Sequence, residues 1–290
     1  MTQYISINII GGLGNQLFQI FAVISYCMQH QIKFIFPYTK GYETRPTYWE
    51  NFLFYLKQFT TINKDNNFSI ENIIDFQKYN EPDFHYNEII INNQNTAFYG
   101  YFQSYKYFET HYHDICKLFF LDNQQYQARM TYNNYLKNKC NISMHFRCGD
   151  YINHPNHYHI LPYEYYEKSI HFILKDIQPS VMKRVLIFCE QSDIQRVDNI
   201  IHKLLQTPFI INNFVEFVRV DHNIPDWQQL LLMSICDHNI IANSTFSWWG
   251  AYFNPNPNKV ICHPNVWFGP KLSRNNTIDL FPNTWNQIII

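Results

Sequence analysis

The chain has 290 residues, with 22 Lys and Arg against 23 Asp and Glu and a formal net charge of −1. So even a balance supplies no general field for nucleic acid or anionic membranes, so any anion must be held locally. With 46% hydrophobic residues there is enough apolar matter for one large domain or two medium ones, and most of the 25 Phe, 22 Tyr and 6 Trp must fill cores. The 7 Cys are scattered and form no C-x-x-C, the pattern of reduced thiols in a cytoplasmic compartment.

The opening M-T-Q-Y-I-S-I-N-I-I lacks a basic leader region and reads as a first strand over residues 4–10, running into G-G-L-G-N-Q. No apolar run approaches the roughly 20 residues a membrane span needs, so no transmembrane segment is expected. Leu17, Ile20, Phe21, Ile24 and Cys27/Met28 follow at helical spacing, and residues 33–36 are strand-like. That is a βαβ unit with a glycine turn at the carboxyl end of its first strand. Residues 40–95 are irregular, polar and aromatic, G-Y-F-Q-S-Y-K-Y-F at 100–108 is compact, and a helix is expected near 108–118. The polar stretch 122–139 is the best linker candidate.

From Cys140 the pattern is cleaner. Strand-like runs near 140–146, 184–189, 214–220, 238–242 and 259–262 alternate with helical patterns near 162–176, 192–206, 226–237 and 244–253. Pro162 suits a first helical position. Ser192 with Gln195 is a capping-box signature, backed by Ile194, Val197, Ile201 and Leu204/Leu205 on one face. Alternating strands and helices predict an α/β fold with a parallel sheet covered on both faces, in two halves spanning residues 1–130 and 131–290.

In open parallel sheets ligands bind at the carboxyl ends of the strands. Four turns stand there: G-G-L-G-N-Q, H-F-R-C-G-D, C-E-Q-S-D and N-S-T-F-S. Arg147 carries a planar fork of donors matching two phosphate oxygens and keeps its charge. His145, two residues earlier, points to the same side of a strand. Asp150 could orient either side chain or accept a proton; the plainer alternative is an internal Arg147–Asp150 ion pair at a sheet edge. Ser244, Thr245 and Ser247 sit at a helix N-terminus, where free N–H groups favour an anion, unless they merely cap it. Trp248 and Trp249 line a sugar or base pocket or pack the core. Gly12 and Gly14 permit close backbone approach to a ligand, and Asn15 and Gln16 offer amides.

The glycine turn fails the dinucleotide test, because Leu17 stands at the third glycine position, and it lacks a P-loop lysine. Hydride transfer is therefore disfavoured. There is no D-x-D, H-E-x-x-H or G-x-S-x-G. His154, His157 and His159 cluster, but no Cys or carboxylate is spaced with them for zinc, so neither a metal nor another cofactor is expected.

Five segments, G-G-L-G-N-Q-L-F-Q (11–19), G-Y-F-Q (100–103), H-F-R-C-G-D-Y (145–151), F-C-E (188–190) and L-M-S-I-C-D-H-N-I-I-A-N-S-T-F-S-W-W-G-A-Y (232–252), resemble the α-1,2-fucosyltransferases, glycosyltransferase family 11, in order and spacing. The resemblance implies a GT-B-like fold, two Rossmann-type αβ halves facing a central cleft. It also implies metal-independent, inverting transfer from a GDP-L-fucose donor to the 2-hydroxyl of a galactose-like oligosaccharide acceptor. Arg147 and His145 would contact the GDP pyrophosphate, Gly12, Gly14, Asn15 and Gln16 would line the donor pocket, and Glu190, Asn243, Ser244, Thr245 and Ser247 would help hold the nucleotide sugar. Tyr101, Phe102, Gln103 and Trp248 would lie on the acceptor side. Asp150 is the first candidate base, Glu190 the second and a donor phosphate oxygen the third.

Two positions depart from the family. Cys148 replaces the second arginine of H-x-R-R-x-D, leaving Arg274 or Lys271 as substitutes. Gln228 and Gln229 replace an acidic pair, leaving Gln229 or Asp226 to read the guanine edge. Rival readings are a non-catalytic glycan-binding protein on a transferase frame and a fucosyltransferase of another linkage.

Overall fold

The computed structural model describes residues 2–42, 45–66, 68–137 and 140–290. They form two compact units, Met1–Asn123 with Asn275–Pro282, and Gln124–Arg274 with Asn283–Ile290. Both are Rossmann-type α/β units of the GT-B-like class, each built on an open, wholly parallel sheet.

In the first unit, β1 (Tyr4–Ile7) leads through α1 (Leu13–His30) to β2 (Lys33–Phe34). A small antiparallel ribbon of β3 (Gly41–Tyr42) and β4 (Arg45–Pro46) follows, then α2 (Ile70–Ile74), β5 (Gln77–Asn80), β6 (Thr96–Tyr99) and α3 (Tyr112–Leu118). The sheet order is β2-β1-β6-β5. Helix α1 is buried on most of its circumference because it has two apolar partners: the sheet on one side and an aromatic layer on the other. Phe21 contributes to that layer, its ring 5.5 Å from Phe108 and 5.9 Å from Phe119. Strands β5 and β6 went unseen in the irregular stretch 40–95 and just beyond it. One is a mostly exposed, polar Q-K-Y-N edge, and the other is only four residues long.

In the second unit, α4 (Leu121–Thr131, of which 124–131 belong here) precedes β7 (Cys140–His145), α5 (Tyr163–Leu174), β8 (Lys183–Phe188), α6 (Ile194–Leu205) and α7 (Pro208–Asn212). Then come β9 (Val215–Arg219), α8 (Asp226–Ser234), β10 (His238–Ile240), α9 (Thr245–Tyr252), β11 (Ile261–Pro264) and β12 (Asn286–Ile288), in the order β12-β11-β10-β7-β8-β9. The period of two sorts β7 cleanly. Ile142 and Met144 join Tyr165, Ile170, Val197 and Leu204 in an apolar core with α5 and α6. Asn141, Ser143 and His145 are polar, and Asn239 Nδ2 donates to Ser143 Oγ (2.7 Å) and to the Met233 carbonyl of α8 (2.9 Å).

Part of the expected linker 122–139 is α4. Its buried Gln125 donates to Ser234 Oγ (2.8 Å) and the Phe253 carbonyl (2.9 Å), so hydrogen bonds rather than an apolar stripe anchor it, and no hydrophobic period marked it. The units divide at Asn123/Gln124 rather than at residue 130, and Asn275–Pro282 lies in the first unit. Asp279 explains that placement: it accepts from Tyr86 N–H (3.3 Å), pairs with Lys106, and its carbonyl accepts from Ser104 Oγ (2.8 Å). The capping box at Ser192 is absent. Asp193 is the N-cap of α6, and its carboxylate serves another turn.

Candidate active site

Chain order reverses once in each sheet, and those reversals select the turns. In the second unit the chain runs from β7 outward to β8 and β9, then crosses to place β10 on the other side of β7. The crevice of a doubly wound sheet opens at the carboxyl ends of such a pair. Here those ends carry residues 146–150 and 241–247.

Arg147 is the centre of the first turn. Its Nη2 donates to Asp150 Oδ1 at 2.7 Å, its Nη1 pairs with Glu190 Oε1, and its Cζ lies 5.2 Å from the Tyr151 ring centre. The side chain is 19% exposed. Burial opposes its charge, but Glu190, Tyr151 and Asp150 together raise its pKa. The Arg147–Asp150 pair weighed against a phosphate grip is therefore present, though in the turn after a central strand and with a second carboxylate. Glu190 reaches Arg147 because residue 149 is glycine: a Cβ there would lie 2.5 Å from Glu190 Oε2.

Two residues that pattern reading missed hold this turn. Asp193, buried, accepts from Cys148 N–H (3.1 Å) and Gly149 N–H (2.9 Å). Tyr151 stacks on Tyr158 at 4.1 Å and 10°, and its hydroxyl donates to the Asn243 carbonyl at 3.0 Å, joining the turns after β7 and β10. Nothing in local sequence marks either role.

His145 lies beside the Phe246 ring at 5.6 Å, with Nδ1 sealed from solvent and without a hydrogen-bond partner. Burial, then the charge of Arg147, pushes its pKa down to about 3. Both causes favour the neutral imidazole over a cation at this position.

The second turn is polar but internally engaged. Asn243 Nδ2 bridges the carbonyls of His159 (2.8 Å) and Trp267 (3.0 Å), leaving a sealed Oδ1 without a partner. Ser244 caps α9, Ser247 Oγ accepts from Ala242 N–H (3.2 Å), and Thr245 is half-buried at the first helical position. The acceptor-side expectation for Trp248 is corrected. Its ring is 0% exposed, stacked on Tyr252 at 4.6 Å and tilted to Trp285 at 5.3 Å, and Trp249 is equally buried. Both are core.

In the first unit the reversal falls between β1 and β6. Gly11 has φ +81°, and a Cβ on Gly12 would meet nothing within 4 Å, so open space borders that backbone. Gly14 is buried inside α1. Gln16 is also buried, donating to the Gly11 (2.9 Å) and Pro46 (2.8 Å) carbonyls, so its amide nitrogen holds the turn rather than facing a ligand. Gln103 Nε2 donates to Asn15 Oδ1 (3.1 Å), tying the glycine turn to the loop after β6. Tyr101 is exposed, whereas Phe102 is fully buried and packs the core instead of an acceptor. Glu81 accepts from the Tyr101 and Phe102 N–H groups, and burial pushes its pKa up to about 7 against the pull of those bonds.

The profile of glycosyl transferase family 11 matches residues 1–288. The chain belongs to that family. Two curated relatives from Escherichia coli are similar over 194 residues: the O-antigen biosynthesis glycosyltransferase WbnK at 31% identity (64% of this chain, 59% of the relative) and an alpha-1,2-colitosyltransferase at 25% (66% and 62%). The similarity thus spans about three fifths of those relatives' length. Among solved structures, an arginine-to-lysine mutant of Arabidopsis thaliana FUT1 in complex with GDP shares the fold, with a TM-score of 0.53 at 13% identity over 99% of this chain and 76% of that one.

Against the family 11 pattern, Cys148 points inward. Its thiol is buried, and burial followed by the charge of Asp193 raises its pKa to about 11. Lys271 and Arg274 lie exposed. Gln228 accepts from the Tyr132 hydroxyl, Gln229 Nε2 donates to the Ile224 carbonyl (2.7 Å), and Asp226 opens α8. Among the described residues no group of three His, Cys, Asp or Glu is placed to hold a metal, and no helix is long and apolar enough to cross a membrane.

Proposed function

We propose that this family 11 glycosyltransferase moves L-fucose from GDP-L-fucose to the 2-hydroxyl of a galactose-containing glycan, inverting the anomeric centre and needing no metal. The observation that carries this reading is Arg147, a guanidinium at the sheet's reversal point with two carboxylates on its fork. In the reaction the bond from the fucosyl C1 to the diphosphate oxygen breaks and its electron pair leaves with GDP. Arg147 and the N–H groups opening α9 stabilise that growing charge in place of a metal ion. The acceptor 2-hydroxyl oxygen bonds to C1 from the opposite face, and its proton passes to Asp150 or Glu190. Asp193, Tyr151 and Asn243 keep the two turns in register. Seven free thiols fit work in the reducing cytoplasm.

The test is incubation with GDP-fucose and lactose in the presence of EDTA, with product mass and linkage determined. A 2-linked fucosyl lactose supports the reading. A colitosyl donor is the competing substrate raised by the name of the second relative, and preference for it would move the donor assignment. Arg147→Lys should lose most transfer while remaining folded, because the ammonium keeps charge but not the fork. Equal turnover would remove the bidentate role. No thermal shift at millimolar GDP would favour a non-catalytic glycan-binding protein.

A further inference from the structure

Glu81 follows β5 directly and lies beside the loop that leaves β6, because Asn80 is paired with Tyr99 and the Glu81 N–H donates to the Tyr99 carbonyl at 2.8 Å. From there its Oε2 accepts two successive backbone donors, Tyr101 N–H at 2.8 Å and Phe102 N–H at 2.9 Å. Its Oε1 is sealed from solvent without a hydrogen-bond partner, and its ionisable neighbours are Tyr79 and Tyr107. A half-buried acid with one oxygen so sealed costs stability unless its bonds are needed locally.

The loop it holds is one that the chain would not adopt unaided. Gly100 has φ +155°, and a Cβ there would lie 2.4 Å from Glu81 Cβ and 2.5 Å from Oε2. Phe102 has φ +51°, a conformation costly for a bulky residue. That backbone turns Phe102 inward, stacked 5.6 Å from Phe98, turns Tyr101 outward at 40% exposure, and points Gln103 toward Asn15.

We propose that Glu81 is a positioning residue: by gripping two consecutive N–H groups it fixes the 101–103 loop so that the Tyr101 ring is presented as a platform for the acceptor sugar. The proposal rests on the fucosyltransferase reading and adds to it the residue that sets acceptor affinity. Reach, not charge, is the property required. Gln keeps an oxygen at the same distance, while Asp is one methylene short.

The test measures initial rates on the full chain with GDP-fucose and lactose, varying each in turn. Glu81→Asp should raise KM for lactose about tenfold with kcat and donor KM nearly unchanged, and Glu81→Gln should stay within about threefold of wild type on all three. Tyr101→Ala should reproduce the lactose effect. Gly100→Ala, which displaces the carboxylate without removing it, should act in the same direction and provides the second variant if Glu81→Asp fails to fold. A lactose KM unmoved in Glu81→Asp, or equal losses on donor and acceptor in the Asp and Gln variants alike, would overturn the inference while leaving the transferase reading intact. Wild-type protein that neither hydrolyses GDP-fucose nor transfers its fucose to any glycan would sink both, and is recognised separately because it needs no variant.

Discussion

Arg147 is held by two carboxylates, so a diphosphate arriving at that fork must displace at least one. The formal charges of Arg147, Asp150 and Glu190 sum to −1, which disfavours an anion until a carboxylate moves away. Glu190 is about half exposed (48%), so its pull is screened and the competition is modest. Glu190→Gln is therefore expected to tighten GDP binding by about threefold to tenfold, read by calorimetry at low salt. Weaker binding in that variant would mean that Glu190 orients the arginine even in the complex. Arg147, Asp150 and Glu190 drew notice in the sequence because charged residues stood beside apolar runs in strand-end turns, and the structure brings the three together. Asp193 and Glu81 were not. A carboxylate that serves backbone N–H groups leaves no trace until the neighbouring turn is known. Trp248 and Phe102 misled for the converse reason, since a ring's type does not say which way it points.

At the scale of elements, alternation of strands and helices was readable from Cys140 onward, because buried parallel strands are near-continuous apolar runs. The order β10-β7-β8-β9 was not, since pairing beyond the next strand is set by crossover direction rather than by local pattern. Yet that order makes the turns after β7 and β10 neighbours. The W-W-G run after the second turn has its own packing logic. Helices α8 and α9 meet so closely that a Cβ on Gly250 would lie 2.8 Å from Met233 Cβ and 3.1 Å from its sulfur. Met233 Cβ is fixed by the α8 backbone, so one helix must shift. Gly250→Ala should cost about 1–3 kcal/mol, seen as a lower urea midpoint at unchanged m. A midpoint equal to wild type would show that the helix pair separates without penalty.

The whole chain carries two opposed responses to pH, one in each unit. His145 and His263 belong to the second unit, where burial depresses their pKa values to about 3 and about 4. Burial lowers His238 as well. Their ordinary value is 6.5, so below it the unfolded chain takes up protons that the folded unit refuses. This contribution is present above pH 6.5 and is lost as the pH falls, by about 2 kcal/mol for each of His145 and His263 at pH 5. Glu81, in the first unit, is raised from 4.5 to about 7, so its folded form binds the extra proton and that unit weakens as the pH rises through this window. Trp227, Trp248, Trp249, Trp267 and Trp285 lie in the second unit and only Trp49 in the first, so tryptophan fluorescence reports mainly the histidine-bearing unit. Its urea midpoint should fall between pH 7 and pH 5, and His145→Gln should shrink the accompanying loss of unfolding free energy by about 2 kcal/mol. A fall of the same size in the variant would mean that the imidazole at 145 finds a proton inside the fold, and the site beneath Arg147 would then carry a second cation after all.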